Sequence, residues 1–395
     1  MIRIKNIKRW FFIHKWSSLI CTLFLLELCL TGLPLIFAEE IDQWLDPPTH
    51  YVQMPPDTPM ANLDDMIRTA KQRYPGQVVT SLFVDDDEPQ VVVSMLPSVN
   101  ADPKLGHSLQ FDSRTAKLLK DEPPFSQQPQ TFMGLMFSLH IDLFMDLPGE
   151  LFLGFMGLLF VLAILSGVML YGPFMKKLRF GTIRSDQARR LKWLDLHNLL
   201  GIVILAWTLV VGLTGVMNEL STPLFGLWQN TDVQKVLKPY QGKPVPQQSE
   251  LSSVQAAWDT AQQAVPGMTL ISMVFPNPKF GSAYHYLIWS KGDKPLTARL
   301  FNPVLVDART GKLAAVVKMP WYLRSLEVSR PLHFGDYGGL PLKIIWVLFD
   351  LGAIFLLISG LYLWFAHRRS RDAWLQRLLD NENNSPTNIL DHAGQ

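Results

Sequence analysis

The chain has 395 residues, 48% of them hydrophobic, and a formal net charge of +2 at pH 7. A net charge this close to zero gives no support for nucleic-acid binding, which requires a strongly basic surface. The two cysteines, Cys21 and Cys29, lie eight positions apart in one apolar stretch, too far apart on a helix to form a disulfide with each other.

Four apolar stretches are each long enough to span a bilayer, which takes about 20 residues. They predict an α-helical membrane protein with four transmembrane helices in two tandem helix–domain–helix repeats. The first stretch, 10–37, is too long for a cleaved signal peptide and no A-x-A site follows it, so we interpret it as a retained anchor. The predicted segments are the cytoplasmic start and first span 1–38, an extracytoplasmic domain 39–148, the second span 149–174, a basic cytoplasmic link 175–193, the third span 194–220, a second extracytoplasmic domain 221–341, the fourth span 342–366 and a cytoplasmic tail 367–395.

Lysine and arginine concentrate before the first span, between the second and third spans, and after the fourth. These residues are Arg3, Lys5, Lys8 and Arg9, then Lys176, Lys177, Arg179, Arg184, Arg189, Arg190 and Lys192, and finally Arg368, Arg369, Arg371 and Arg377. Because positive charge stays on the cytoplasmic side, we expect both termini in the cytoplasm of a bacterial cell, with the chain in its inner membrane. The two long loops are then extracytoplasmic.

Each long loop is predicted to fold as an amphipathic helix packed on a small antiparallel sheet. The helices are predicted at 63–74 and 251–265, and the strands at 81–84, 91–96, 108–111, 269–275, 283–289, 298–301 and 304–307. The sequence therefore predicts two separate small α+β domains.

The chain is an internal duplication. His14 precedes the pair Thr31-Gly32 by 17 positions, and His197 precedes Thr214-Gly215 by the same 17 positions. The other repeated elements are D-x-R-T turns at Asp112 and Asp307, histidines at His140 and His333, and the pairs Ser166-Gly167 and Ser359-Gly360. Both copies have the same orientation, so we expect a pseudo-two-fold axis along the membrane normal.

This ordered set of motifs resembles the PepSY-associated transmembrane family, over residues 5–370. The most similar members are inner-membrane ferrisiderophore reductases and related iron-regulated proteins. The resemblance implies two PepSY domains facing the periplasm, four spans that can hold b-type haem, and a role in reductive release of iron from siderophores.

Two repeat-equivalent histidine pairs are the candidate haem ligands. We expect His14 and His197 to hold one haem near the cytoplasmic face, since Ser18 and Gly201, one turn after them, leave room for a flat macrocycle. The alternative is that both are polar boundary residues. His140 and His333 are expected to hold a second haem near the periplasmic face; the alternative is a pair of hydrogen-bonded loop histidines.

Four further residues are secondary candidates. His367 lies beside Arg368 and is expected to be a haem-propionate neighbour or a plain boundary residue, and it is the substitute axial ligand if His14 or His197 fails; Arg330 is a candidate propionate partner near the outer pair. Glu27 and Asp350 are acids inside predicted spans, which indicates either a proton route or a hydrogen-bonded contact between helices. Four histidines without repeat partners are interpreted as surface residues: His50, His107, His285 and His392.

Motifs of other enzyme classes are missing from the sequence. There is no G-x-G-x-x-G after a strand, no P-loop, no H-E-x-x-H and no G-x-S-x-G. Electrons must therefore come from quinol or from a separate cytoplasmic reductase. We expect a ferric-siderophore reductase with two haem b groups, in which the siderophore docks between the loop domains above His140 and His333. Trp44, Trp228, Trp321 and Tyr322 are candidates to line that region.

Two alternatives stay open at this point. One is a di-haem electron carrier that serves quinol, superoxide or a protein partner. The other is a haem-free membrane scaffold or regulator whose loop domains bind peptides or proteins. The sequence assigns no catalytic residue in any of the three cases.

Overall fold

The computed structural model describes residues 4–45, 49–55, 57–85, 87–175, 179–294 and 297–383, with the backbone alone from 367 onward. In chain order, the helices are α1 (Ile4–Leu35), α2 (Ala38–Leu45), α3 (Leu63–Arg73), α4 (Phe132–Ile141), α5 (Leu147–Met175), α6 (Arg189–Val203), α7 (Leu205–Glu219), α8 (Ser221–Trp228), α9 (Gln234–Leu237), α10 (Val254–Ala264), α11 (Trp321–Phe334) and α12 (Gly339–Asn383). The strands are β1 (Val78–Val84), β2 (Gln90–Leu96), β3 (His107–Asp112), β4 (Leu118–Asp121), β5 (Met268–Val274), β6 (His285–Gly292), β7 (Phe301–Asp307) and β8 (Leu313–Val316).

The chain divides into two compact units, which we call the helical unit and the sheet unit. The helical unit consists of Met1–Phe37, Met136–Glu219 and His333–Gln395. The sheet unit consists of Ala38–Leu135 and Leu220–Leu332. Segments 136–148 and 333–341, which were predicted as parts of the loop domains, thus belong to the helical unit together with His140 and His333.

Within the described residues, three helical segments are long and apolar enough to cross a membrane: Asn6–Leu35, Leu147–Gly172 and Gly339–Ala366. Helices α6 and α7 together form a further candidate span, bent by 67° at Ile204. The predicted third span was continuous. The run Ile202-Val203-Ile204 explains the break in part, since three successive β-branched residues weaken a helix, and Ile204 is buried against Gly352 of α12.

The candidate spans of the helical unit pack in a ring. Helix α1 contacts α5 and α12, α5 contacts α7, and α12 contacts α6. Their outward surfaces are apolar; Leu23 and Leu348, for example, are 70% and 61% exposed. Such an extended apolar surface is stable only in contact with lipid, so the chain is a membrane protein.

The sheet unit contains a single antiparallel sheet of eight strands in the order β4-β3-β2-β1-β5-β6-β7-β8. The prediction of two separate sheets was therefore wrong. The two halves join where β1 pairs with β5, with Leu82 opposite Met273. An unpaired edge strand presents backbone N–H and C=O groups without hydrogen-bond partners. Because β1 and β5, the first strands of the two halves, pair with each other, the backbone groups along both of these edges are hydrogen-bonded.

Helices α3 and α10 cover one face of this sheet and share its core. Leu63 and Met66 of α3 and Val254 and Trp258 of α10 are buried in the same apolar cluster. The backbone N–H of Val254 donates to Asp64 over 2.7 Å, which links the two helices directly.

The strand predictions fail in two places for physical reasons. Of the predicted strand 298–301, only Phe301 lies in a strand, because the preceding residues form a turn. Strands β4 and β8 were not predicted. Both are four-residue edge strands without a fully buried side chain, so they lack the alternation by which a strand is detected.

Candidate functional site

The helical unit brings His14 of α1 and His197 of α6 together. Their ring centroids are 6.4 Å apart and their planes meet at 76°. Both rings are partly buried. We call these two residues the first pair.

His140 of α4 and His333 of α11 form an equivalent arrangement, which we call the second pair. Their ring centroids are 6.2 Å apart, with planes at 59°. Each histidine lies near the C-terminal end of a short helix that precedes a membrane span. The duplication therefore places one histidine from each half of the chain in each pair.

The separation within each pair matches two imidazoles on one metal. A metal–imidazole nitrogen bond is about 2 Å long, and two such bonds in line, with half a ring at each end, separate the centroids by about 6 Å. The observed 6.4 and 6.2 Å lie close to this value.

Each of the four rings packs against a glycine on a neighbouring helix. A Cβ atom added to that glycine would lie 3.1–3.5 Å from the histidine Cε1 atom, at or inside normal contact distance. The ring–glycine contacts are His14 with Gly167, His197 with Gly360, His140 with Gly32, and His333 with Gly215. These glycines form a cradle that a larger residue would fill.

Two of the rings donate a hydrogen bond to a backbone carbonyl. The partner of His14 Nδ1 is the Ala163 carbonyl at 2.9 Å, and that of His333 Nδ1 is the Val211 carbonyl at 3.1 Å. Because a carbonyl can only accept, Nδ1 must carry the proton in both rings. The lone pair of each neutral ring is then on Nε2, where it is available to a metal.

The other two rings contact hydroxyls, and the same conclusion follows. His140 Nδ1 lies 3.0 Å from Thr31 Oγ1, and His197 Nδ1 lies 2.7 Å from Ser359 Oγ. Each hydroxyl donates its own proton to a carbonyl of the preceding turn, that of Glu27 or Leu356. The hydroxyl therefore accepts from Nδ1–H, which again leaves the lone pair on Nε2.

A Ser-Gly or Thr-Gly dipeptide thus holds each histidine, the hydroxyl residue beside Nδ1 and the glycine against Cε1. Its four copies are Thr31-Gly32, Ser166-Gly167, Thr214-Gly215 and Ser359-Gly360. The sequence showed these dipeptides as repeat markers, but their role as partners of the histidines was missed. The signal was present, since each dipeptide recurs at the same offset as a histidine.

Two pairs of histidines are too few ligands for a bare metal ion. Across the described part of the chain, no group of three or more His, Cys, Asp or Glu side chains is placed to bind one. A macrocycle that supplies four ligands would need only two imidazoles from the protein. The residues of both pairs therefore fit a haem, by their separation, tautomers and glycine cradles.

The secondary candidates lie apart from the two pairs or are not described. Glu27 is half-buried on α1, one turn before Thr31. Asp350 of α12 is buried. Arg330 is exposed on α11 in the sheet unit.

Some predicted residues lie outside the described part. Arg3, Lys176, Lys177 and His392 are not described, and only the backbone is described for Lys5, His367, Arg368, Arg369, Arg371 and Arg377.

Three predictions about other aromatic residues need correction. His107 and His285 are 2% and 0% exposed, so they are not surface residues. His107 Nε2 lies 2.8 Å from Gln77 Oε1, and His285 Nδ1 lies 2.7 Å from Ser282 Oγ. Both histidines open strands whose side chains enter the core of the sheet unit. Trp228 is also buried and cannot line a docking surface, whereas Trp44 and Trp321 are exposed.

Comparison with known proteins extends this description. The family defined by a PepSY-associated TM region matches residues 11–367 of the chain. A protein of Pseudomonas aeruginosa, Uncharacterized protein PA4219, is 28% identical over 274 residues. That alignment covers 62% of this chain and 66% of the relative, so the chain spans just under two thirds of that protein's length.

Proposed function

The chain belongs to the family of proteins with a PepSY-associated TM region, as its motifs indicated, and on this basis we propose that it is a haem-containing membrane reductase. The observation that carries the proposal is the pair of His–His arrangements with centroids 6.4 and 6.2 Å apart and all four Nδ1 atoms held. His14 and His197 would hold one haem b, and His140 and His333 a second.

The groups around each pair position the histidine rings. The serine or threonine hydroxyls and the backbone carbonyls fix the tautomer and orientation of each ring, and the glycines let the rings approach a neighbouring helix closely. When bound, a haem with two imidazole ligands supplies an iron that accepts and releases one electron and has no open site for oxygen.

The two pairs are separated by about one membrane thickness. On α1, His14 of the first pair precedes Thr31, the partner of His140, by 17 residues, or about 26 Å of helix. The apolar core of a bilayer is about 30 Å thick. With the Lys/Arg-rich segments in the cytoplasm, the first pair lies near the inner face and the second near the outer face. Electrons would therefore cross the inner membrane from a cytoplasmic donor or quinol to the periplasm.

The proposed substrate is Fe(III) bound to a siderophore on the periplasmic side. Hard oxygen donors bind Fe(II) much more weakly than Fe(III), so transfer of one electron to the chelate releases the iron. This substrate assignment is supported by the family resemblance and by the position of the second pair near the periplasmic face. The proposed reaction would then take place near His140 and His333.

The test is reoxidation of the reduced protein. Purified protein is reduced with dithionite under argon, desalted, and mixed with a ferric trihydroxamate siderophore while its absorption spectrum is followed. We expect reoxidation together with the appearance of Fe(II) trapped by a colorimetric chelator. The gallium(III) complex of the same siderophore, which cannot be reduced, is the matched control. A reduced spectrum that persists with both complexes would assign the protein to electron transfer with another partner.

A further inference from the structure

A cavity of about 530 Å³ lies in the helical unit, where the link before α6 meets that helix. Its volume falls in the range of small-molecule sites, about 300–1,000 Å³. Ser185 and Gln187 of the link, Arg189, Lys192 and Trp193 of α6, and Phe355 of α12 line it.

The link is fixed to α6 by an ion pair between the partly exposed Arg184 and the buried Asp195. Arg184 donates to both carboxylate oxygens of Asp195, at 2.9 and 2.6 Å, and its backbone N–H donates to the same group at 2.9 Å. Asp195 is fully buried, and these three hydrogen bonds compensate for the loss of water around its carboxylate. The wall of the cavity formed by Ser185 and Gln187 is therefore held in place by its neighbour Arg184.

One side of the cavity is positively charged. Arg189 and Lys192 are exposed, and neither forms a salt bridge among the residues that the structure describes. The guanidinium of Arg189 lies 6.0 Å from the centre of the Tyr362 ring. Two cations beside the polar groups of Ser185 and Gln187 suit a phosphate.

The other side is aromatic. The indole of Trp193 stacks on Phe355, with centroids 5.4 Å apart and planes at 12°, and it also contacts Tyr362 at 5.0 Å. Trp193 precedes His197 of the first pair by four residues, which is one turn of α6 or about 6 Å. A flat ring bound against Trp193 would therefore lie close to the first pair.

We propose that this cavity binds the electron donor, and that the donor is a reduced flavin carrying a phosphate, of the flavin mononucleotide class. The donor role rests on the proposed function above, whereas the binding site does not. The cations match the phosphate and the aromatic wall matches the isoalloxazine ring. One dihydroflavin would lose two electrons and two protons, reduce two ferric chelates to ferrous chelates in successive one-electron steps, and leave as oxidised flavin.

The test measures binding without turnover. Flavin mononucleotide is titrated into the full chain in phosphatidylcholine nanodiscs, and quenching of flavin fluorescence gives the dissociation constant. We expect Arg189→Gln, Lys192→Gln and Trp193→Leu each to weaken binding by about tenfold. Arg190→Gln, an exposed neighbour that does not line the cavity, should bind as the wild type does, and Lys192→Arg should restore most of the affinity.

Three further measurements distinguish a flavin phosphate from the other ligands that the same cavity could bind. Riboflavin, which lacks the phosphate, should bind about tenfold more weakly. Equal affinity for riboflavin would overturn the role of the cations. Loss of flavin binding in nanodiscs with phosphatidylglycerol would assign the cavity to a lipid headgroup, and no binding in phosphatidylcholine would reject the site outright. The haem spectrum of the same samples reports the proposed function independently, so the two proposals can fail separately.

Discussion

The ring of His197 and the hydroxyl of Ser359 form a relay of two hydrogen bonds. His197 Nδ1–H donates to Ser359 Oγ over 2.7 Å, and this hydroxyl donates to the Leu356 carbonyl over 2.8 Å. The relay fixes both the proton and the plane of the ring. The same relay recurs at His140, through Thr31 and the Glu27 carbonyl. Four helices from two repeats therefore present four neutral imidazoles in a defined tautomer.

Removing a relay hydroxyl should weaken haem binding without unfolding the protein. We expect Ser359→Ala or Thr31→Val to lower haem affinity by about 10- to 100-fold, because the acceptor that orients the ring is lost. Transfer of haem to apomyoglobin, followed by absorption, measures this. Thr22→Val is the matched control, since among the described residues the Thr22 hydroxyl bonds to the Ser18 carbonyl on its own helix and to no histidine. Equal haem loss in the control would indicate a general packing defect.

Filling a glycine cradle should displace a ring. In Gly167→Ala, the new Cβ would lie 3.1 Å from His14 Cε1, and such overpacking costs about 1–3 kcal/mol. We expect loss of one haem of the two. Gly172→Ala lies on the same helix with no atom within 4 Å of the added Cβ, and should keep both haems. Measurement of haem per chain in the two variants decides the point, and equal content would argue against the cradle.

Each histidine pair should hold its own haem. His14→Ala and His197→Ala should each lose the first haem and keep the second, while His140→Ala and His333→Ala should do the reverse. Haem content is quantified per chain, and redox titration shows which component is lost. His50→Ala, an exposed histidine outside both pairs, is the control. The same component lost from all four variants would contradict the pairing.

The sheet unit should lose stability in mild acid through His285. Burial lowers the pKa of this ring to about 4, against 6.5 in the unfolded chain, with Asp307 opposing the shift and Lys243 adding to it. The unfolded state therefore takes up a proton that the folded state excludes. Above pH 6.5 the effect is absent; as pH falls from 6.5 to 4 the destabilisation grows to about 2–3 kcal/mol. Below pH 4 it is constant.

The variant His285→Gln tests this linkage. It keeps a side chain that can bond Ser282 but does not titrate. Between pH 7.5 and 4.5, the melting temperature of the full chain, followed by tryptophan fluorescence, should fall less in the variant than in the wild type. Parallel curves would show that another group controls acid stability.

Much of this arrangement follows from the sequence, because the duplication marks the histidines that the fold brings together. Three continuous candidate spans and a fourth, bent one are apparent from apolar length, and His14, His140, His197 and His333 from their recurrence. Their pairing across the two repeats follows from the pseudo-symmetry expected of a tandem repeat. The break at Ile204 does not follow, because it depends on how α6 and α7 pack against α12 as well as on local sequence.

The remaining features depend on long-range contacts. The pairing of β1 with β5 joins residues about 190 positions apart, and no local pattern indicates which strand edges meet. His107 and His285 are buried because the sheet places them there, although polar residues at the start of a strand resemble surface residues in sequence. The Ser-Gly and Thr-Gly dipeptides were visible as repeats, but only the fold shows which ring each one holds.

The most direct test of the central claim is the absorption spectrum of the purified full chain, expressed with ample haem and normalised to protein concentration. We predict two haem b groups per chain and a reduced spectrum that carbon monoxide leaves unchanged, because two imidazoles would occupy the sites on each iron that carbon monoxide needs. A colourless, folded protein, or a spectrum that shifts fully with carbon monoxide, would contradict it.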